Sequence, residues 1–258
     1  MLGRPIAHSL SPVLHRAAYR ALGLDAHYTA LDVGPDELGA LLDGLDDDWI
    51  GLSLTMPLKQ TALPLLDTLS PLARQVAAVN TVVLAGGARH GHNTDVAGMV
   101  EALIEAGVER VDAPVVLGGG ATARSALAAL AALGARRVRL VVRSGAGAAP
   151  ELAASLGLAL DVEPFEAGLA RGADLVVSTL PAGAADALAE QVTDVPALLD
   201  VVYAPWPTAL ARACNGVTVG GAAMLLHQAA AQVQLMTGRA APLEAMRAAL
   251  ETALAQRG

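Results

Sequence analysis

The sequence predicts an α/β protein in which two series of alternating strands and helices follow one another along the chain. Three observations predict it. Short apolar runs alternate with amphipathic runs of helical length between residues 27 and 202, which implies parallel sheets with helices on both faces. The stretch "VVLGGGATARSAL" (115–127) reads as strand, glycine-rich turn and helix, the local order of a mononucleotide-binding unit. The length, 258 residues, suits one large domain or two modest ones.

The elements follow in order. Ser11-Pro12 opens a helix, with Ser as N-cap and Pro at N1, and the pattern runs through "VLHRAAYRAL" to a stop near Gly23. "HYTALDV" (27–33) reads as a strand, "PDELGALLDGL" (35–45) as a helix and "WIGLSLT" (49–55) as a strand, with helices at 57–67 and 71–78. "TVVLAGGARHGH" (81–92) is hairpin-like, turning at Gly86-Gly87, and a helix begins after Asn93-Thr94-Asp95. The second series opens with the strand "APVVLG" (113–118) and a helix ending at Gly134. It continues with strands at 136–142, 173–179 and 196–202 and a helix at 149–156. Two last helices, 222–236 and 242–255, have no strand after them and are expected to pack back across the chain.

Composition narrows the function. Aromatic residues are 2% of the chain against 54% hydrophobic, so the core has to be built from Leu, Val, Ile and Ala. A net charge of −8 argues against general nucleic-acid binding. No run approaches the ~18 uncharged apolar residues of a membrane span, and there is no secretory signal pattern at the N-terminus. One cysteine, Cys214, can make neither an internal disulfide nor a multi-cysteine metal site, which points to a reducing cytoplasm and to no metal.

Several short stretches carry chemistry. Gly118, Gly120 and Ala123 fit G-x-G-x-x-G/A, in which the glycines allow a tight turn and close approach of a pyrophosphate to a helix N-terminus; a purely structural turn is the alternative. The next strand ends in Arg143-Ser144, where an NAD-binding chain usually has an acidic residue. A guanidinium and a hydroxyl suit a 2′-phosphate and favour NADP, the alternative being a solvated arginine. Arg124, in the first turn of the following helix, could also reach a phosphate. In "HSLSP" (8–12), Ser9 and Ser11 stand at a helix start, either as caps or as hydroxyls for an anionic or polyhydroxylated ligand. "HNTD" (92–95) and Asn80 carry the same ambiguity between cap, turn and site. Lys59 is sharper, because it is the one lysine among 17 basic side chains and the others are all Arg. A surface cation can be either residue; a group that must exchange a proton cannot be Arg.

These stretches together resemble the shikimate dehydrogenase family. "GRPIAHSLSPVLH" (3–15), "GLSLTMPLK" (51–59), "AVNT" (78–81), "GHNTDVAG" (91–98), "LGGGATAR" (117–124), "DVVYAPWPTAL" (200–210) and "GGAAMLLHQAA" (220–230) fall in the family's order and spacing over nearly the whole chain. The resemblance implies reversible NADP-dependent reduction of 3-dehydroshikimate to shikimate in aromatic amino-acid biosynthesis. It implies a substrate domain formed by residues 1–95 with 221–258 and a Rossmann-like NADP domain at 96–220. It implies Lys59 and Asp95 as the catalytic pair, and Ser9, Ser11, Thr55, Asn80 and Gln228, with Tyr203 close by, as the substrate's partners. Gly118, Gly120, Ala121, Arg143 and Ser144 would lie along NADP, and Met224 near the nicotinamide. The quaternary state is left as monomer or homodimer. Quinate/shikimate and aminoshikimate dehydrogenases, and a non-catalytic sensor of a shikimate-like ligand, are the alternatives.

The chain departs from the family pattern in four places. Only Met1-Leu2 precede Gly3, where a full strand is usual. Ser53 stands where Asn is common, Val142 where Asn is frequent, and Ala121 where a fourth glycine is frequent.

Overall fold

Short β-branched and leucine runs make the strands of this chain, and glycines close most of its helices. The computed structural model describes residues 1–165 and 170–257. Its contacts divide the chain into two compact units, Met1–Asp95 with Leu225–Gly258, and Val96–Met224.

In the first unit the chain runs β1 (Leu2–Gly3), α1 (Ser11–Leu22), β2 (Leu31–Asp32), α2 (Pro35–Asp43), β3 (Gly51–Ser53), α3 (Leu58–Thr61), β4 (Thr68–Leu69), α4 (Pro71–Val76), β5 (Thr81–Ala85) and β6 (Ala88–His92). Four strands form one sheet in the order β3-β5-β6-β4. β3 departs from the expected parallel pairing, running antiparallel to β5, while β5 and β6 form the expected antiparallel hairpin. The two-residue turn forces this: Gly86 and Gly87 take φ of 61° and 75°, the left-handed pair that closes an antiparallel hairpin. β1 and β2 form a separate parallel pair, with Leu2 bridging Leu54. The expected strand over 27–33 contracts to two residues because β1 offers only two to pair with. The expected helix over 57–67 breaks into α3 and a 3₁₀ turn, Leu63–Leu65, where Pro64 supplies no N–H for an α-helical bond. Ser11 is the first helical residue rather than the N-cap; Leu10 holds the cap position without a side-chain hydrogen bond. Leu2, Leu38, Leu42, Leu52, Leu54, Leu58, Val79 and Val82 form the core of this unit.

The second unit follows: α5 (Asp95–Glu105), β7 (Val115–Leu117), α6 (Ala121–Ala132), β8 (Arg137–Val142), α7 (Ala149–Ser155), β9 (Ala159–Pro164), β10 (Leu175–Ser178), β11 (Ala197–Asp200), α8 (Ala209–Ala213) and β12 (Val217–Gly220). Its six strands are all parallel, in the order β12-β11-β10-β7-β8-β9. The central strands β7, β10 and β11 are buried at every position, the signature of a sheet covered on both faces. The chain proceeds from β7 outward to β9, then returns to β10 on β7's other side. That reversal makes a crevice at the carboxyl ends of β7 and β10, the usual place for a ligand in such a sheet. The helices α9 (Gly221–Thr237) and α10 (Leu243–Ala255) close the chain, and α10 packs against α1 as expected. Among the described residues no helix is long and apolar enough to cross a membrane.

Candidate active site

In the first unit, backbone pairing brings three loops to one place. The Val79 N–H donates to the Lys59 carbonyl at 2.8 Å, and the Asn80 N–H to the His92 carbonyl at 3.1 Å. The Asn93 side chain donates to the Ala78 carbonyl at 3.0 Å. The start of α5 is thereby drawn against residues 78–80, and α3 is tied to the same strand entry. The side chains that meet there are Lys59, Asn80 and Asp95. Lys59 Nζ lies 2.6 Å from Asp95 Oδ2, with 12% of the lysine side chain and 5% of the aspartate side chain exposed. Asn80 Nδ2 donates to the other carboxylate oxygen at 2.8 Å. Both oxygens of Asp95 are therefore engaged, by a cation and by a neutral donor. Asn80 Oδ1 in turn accepts from the Thr94 N–H and the Thr81 hydroxyl, each at 2.8 Å. Gln228, on α9, meets Asn80 Nδ2 at 3.4 Å, the longest contact of the group.

An ammonium carries three protons. With one directed at Asp95, Lys59 retains donors for a ligand oxygen while remaining shielded from bulk water. An amine so placed can give a proton to a developing alkoxide and recover it in reverse.

The other expected polar groups of this unit lie on neighbouring segments. Ser9 Oγ accepts from the Ser11 N–H at 3.3 Å. Ser11 is buried. The carbonyl of the loop's His8 is held by Arg257 at 2.8 Å. Thr55 is half-buried at the entrance to α3, its N–H donating to the Leu2 carbonyl at 2.9 Å. A β-carbon on Gly3 would overlap the Thr55 side chain, so β1 approaches this closely only because residue 3 has none.

In the second unit, Gly118, Gly119 and Gly120 line a cavity of about 250 Å³ together with Val142–Gly145, Phe165 and Leu180. Gly118 has φ of +111°, and a β-carbon there would lie 2.5 Å from Thr179 Oγ1, which is itself bonded to the Leu117 carbonyl at 2.8 Å. Gly120 caps α6, with open space where its side chain would be. Ala121 is the first residue of α6, and Arg124, three positions on, is buried, which lowers its pKa from the usual arginine value. Arg143 and Ser144 are exposed at the end of β8. Asp200, at the end of β11, is buried, and burial raises its pKa against the opposing bonds from Thr208, Val202 and Ser178. It fixes the turn that carries half-buried Tyr203: Thr208 Oγ1 donates to it at 2.8 Å and the Val202 N–H at 3.2 Å. Met224 is buried on α9.

Two family models match the chain: the shikimate dehydrogenase substrate binding domain over residues 1–82 and the shikimate 5′-dehydrogenase C-terminal domain over residues 221–251. A shikimate dehydrogenase (NADP(+)) of Halobacterium salinarum is 41% identical over 264 residues, with 98% of each chain covered. The chain belongs to the shikimate dehydrogenase family. Among solved structures, the shikimate dehydrogenase of Mycobacterium tuberculosis superposes with a TM-score of 0.91 at 40% identity, covering 97% of each chain. The Thermus thermophilus enzyme, solved in complex with NADP(H) and shikimate, gives 0.83 at 34% identity, covering 98% of this chain and 97% of its own.

Of the residues expected from the shikimate dehydrogenase pattern, Lys59, Asn80, Asp95 and Gln228 form one hydrogen-bonded cluster in the first unit. Gly118, Gly120, Arg143 and Ser144 border one cavity in the second, at the family's glycine turn. The sequence reading missed the polar residues around Asn80, namely His15, Tyr28, Ser53, Thr81 and Gln232. One signal was available: Gln232 follows Gln228 by four positions, which puts both on the same face of a helix.

Proposed function

We propose that this chain catalyses the reversible, NADP-dependent reduction of 3-dehydroshikimate to shikimate, in the cytoplasm, with Lys59 and Asp95 as its proton-handling pair. The observation that carries the reading is the 2.6 Å contact between the chain's single lysine and a buried aspartate whose second oxygen is held by Asn80, in a member of this family. In the proposed reaction Lys59 gives a proton to the carbonyl oxygen as it becomes an alkoxide, and takes the proton from the hydroxyl in the reverse direction. Asp95 orients the amine and keeps its donors aimed. Ser9, Ser11 and Thr55 hold the substrate's carboxylate and hydroxyls, with Tyr203 contributing. Asn80 and Gln228 join them by exchanging their long 3.4 Å contact, the weakest bond of the cluster, for a substrate hydroxyl.

The residues of the second unit fit a dinucleotide. The left-handed Gly118, the open space over Gly120 and the helix N-terminus at Ala121 form a cradle that side chains would fill. Gly118, Gly120 and Ala121 would hold the pyrophosphate, Arg143 and Ser144 the 2′-phosphate, Arg124 would lend positive charge in the first turn of α6, and Met224 would pack by the nicotinamide. NADPH, when bound, supplies the hydride. On this reading Met1–Asp95 with the C-terminal helices is the substrate domain and Val96–Met224 the NADP domain.

The test is NADPH oxidation with 3-dehydroshikimate, then with 3-dehydroquinate, and the same assay for Lys59→Met. The wild type should turn over the first substrate in preference to the second. Loss of a positioned acid–base group should lower kcat by ~10²–10⁴-fold with shikimate affinity kept within a few-fold. A Lys59→Met enzyme that keeps its kcat and shows only a raised KM overturns the assignment.

A further inference from the structure

Asn80 is held by a chain of hydrogen bonds that begins far from it. Tyr28 donates its hydroxyl proton to Ser53 Oγ at 2.6 Å, and Ser53 donates to Gln232 Oε1 at 2.9 Å. The same Gln232 oxygen lies 3.1 Å from His15 Nε2. The Asn80 backbone carbonyl, which can only accept, fixes the Gln232 amide with its nitrogen toward Asn80. Gln232 Nε2 donates to the Asn80 carbonyl at 3.2 Å and to Thr81 Oγ1 at 3.0 Å. Since Thr81 Oγ1 accepts from Gln232, its own proton is directed to Asn80 Oδ1 at 2.8 Å, where the Thr94 N–H also donates, and the Asn80 NH₂ faces Asp95. The reversed amide would set Oδ1 against the Asp95 carboxylate and NH₂ against the Thr94 N–H. His15, Ser53, Asn80, Thr81 and Gln232 are each no more than 1% exposed, so bulk water does not reach the network.

We infer that Gln232 is a positioning residue of the reaction: through Thr81 it fixes the amide of Asn80 and thereby the carboxylate that aims Lys59. This rests on the proposed dehydrogenase reading. Gln232 touches none of the reacting groups; it works by allowing one arrangement of protons in a closed network, where partial satisfaction is costly.

The test is a double-mutant cycle in the full-length enzyme with shikimate and NADP⁺, using Gln232→Met, Thr81→Val and both together. Each single variant should lower kcat by about 10-fold while leaving the KM for NADP⁺ unchanged, a misplacement effect. Because both act through the same amide, the double variant should fall within about 2-fold of the worse single, where independent sites would multiply to about 100-fold. Val233→Ala, a buried truncation on the same helix outside the network, controls for lost stability. It should lower the melting temperature and leave kcat as it was. Multiplying losses in the double variant, or an equal kcat loss in Val233→Ala, overturn the positioning role while leaving the dehydrogenase reading intact. A wild-type enzyme inactive on shikimate overturns that reading and this inference with it.

Discussion

Exchanging His15 for Gln should make the protein less stable at neutral pH yet flatten its loss of stability in mild acid. His15 lies on α1 and is fully buried. Its ring stacks on Tyr28 with centroids 4.0 Å apart and planes 11° from parallel. Burial drives its pKa down to about 3, against the opposing pull of the bond to Gln232. The Gln232 carbonyl oxygen accepts from Nε2, so the ring is the neutral Nε2–H tautomer, with Nδ1 facing the Tyr19 hydroxyl at 3.5 Å. The sign follows from the direction of the shift. The folded pKa is below the unfolded one, so the contribution is whole above the unfolded value and is lost as pH falls from there toward about 3. Each pH unit in that window costs about 1.4 kcal/mol, so lowering the pH from 7 to 5 removes roughly 2 kcal/mol through this one imidazole. Gln at position 15 keeps a donor for Gln232 and has no proton to gain. In urea unfolding followed by circular dichroism at pH 7, 6 and 5, the stability gap between wild type and His15→Gln should narrow by about 1.4 kcal/mol per unit below pH 6.5. A gap that stays constant, or an imidazole resonance in the folded protein that titrates near 6.5, refutes the reasoning.

Two further substitutions test the second unit. Arg143→Ala should erase the preference for NADPH over NADH in kcat/KM by about 10–100-fold, the worth of hydrogen bonds to a charged group; a variant that still strongly favours NADPH clears Arg143 of that role. Gly118→Ala combines φ of +111° with a 2.5 Å approach to Thr179, so it should cost on the order of 1–3 kcal/mol of stability and raise the KM for NADPH. Differential scanning calorimetry and steady-state kinetics read the two effects, and an unchanged melting temperature would show that the turn does not need glycine.

The second unit was legible because its central strands are buried on both faces and so read as unbroken apolar runs, as in "ADLVVST" and "PALLDVV". Its edges were not. β9, "ALDVEP", is largely exposed and ends in proline, and β12, "VTVG", is exposed over its first half, so neither carries the composition of a buried strand. The first unit hid its topology for another reason. Which strands pair is decided by tertiary contact, and only the Gly86-Gly87 turn announces an antiparallel partner locally. Lys59 stood out by its uniqueness, and Asp95 and Asn80 by the order of motifs around them. The network behind Asn80 had no such mark, since His15 and Gln232 read as ordinary polar residues on helices until folding brings them together across 217 positions.

Ser53 shows how a departure from the family pattern can be absorbed. A serine hydroxyl has one proton and two lone pairs, and here it accepts from Tyr28 and donates to Gln232. Its partners lie 25 and 179 residues away in sequence, so position 53 read alone signals only a lost amide. Read with its partners, the hydroxyl links the Tyr28 segment and β3 to Gln232 of α9, which His15 of α1 and Asn80 also meet. α9 lies far along the chain from the other three, and apolar packing alone would tolerate small shifts between them. Hydrogen-bond geometry is less forgiving, so the register of α9 against the sheet is set by the same amide that sets Asn80. A change anywhere along this line should therefore register twice, as lost stability in the first unit and as a slower chemical step at Lys59.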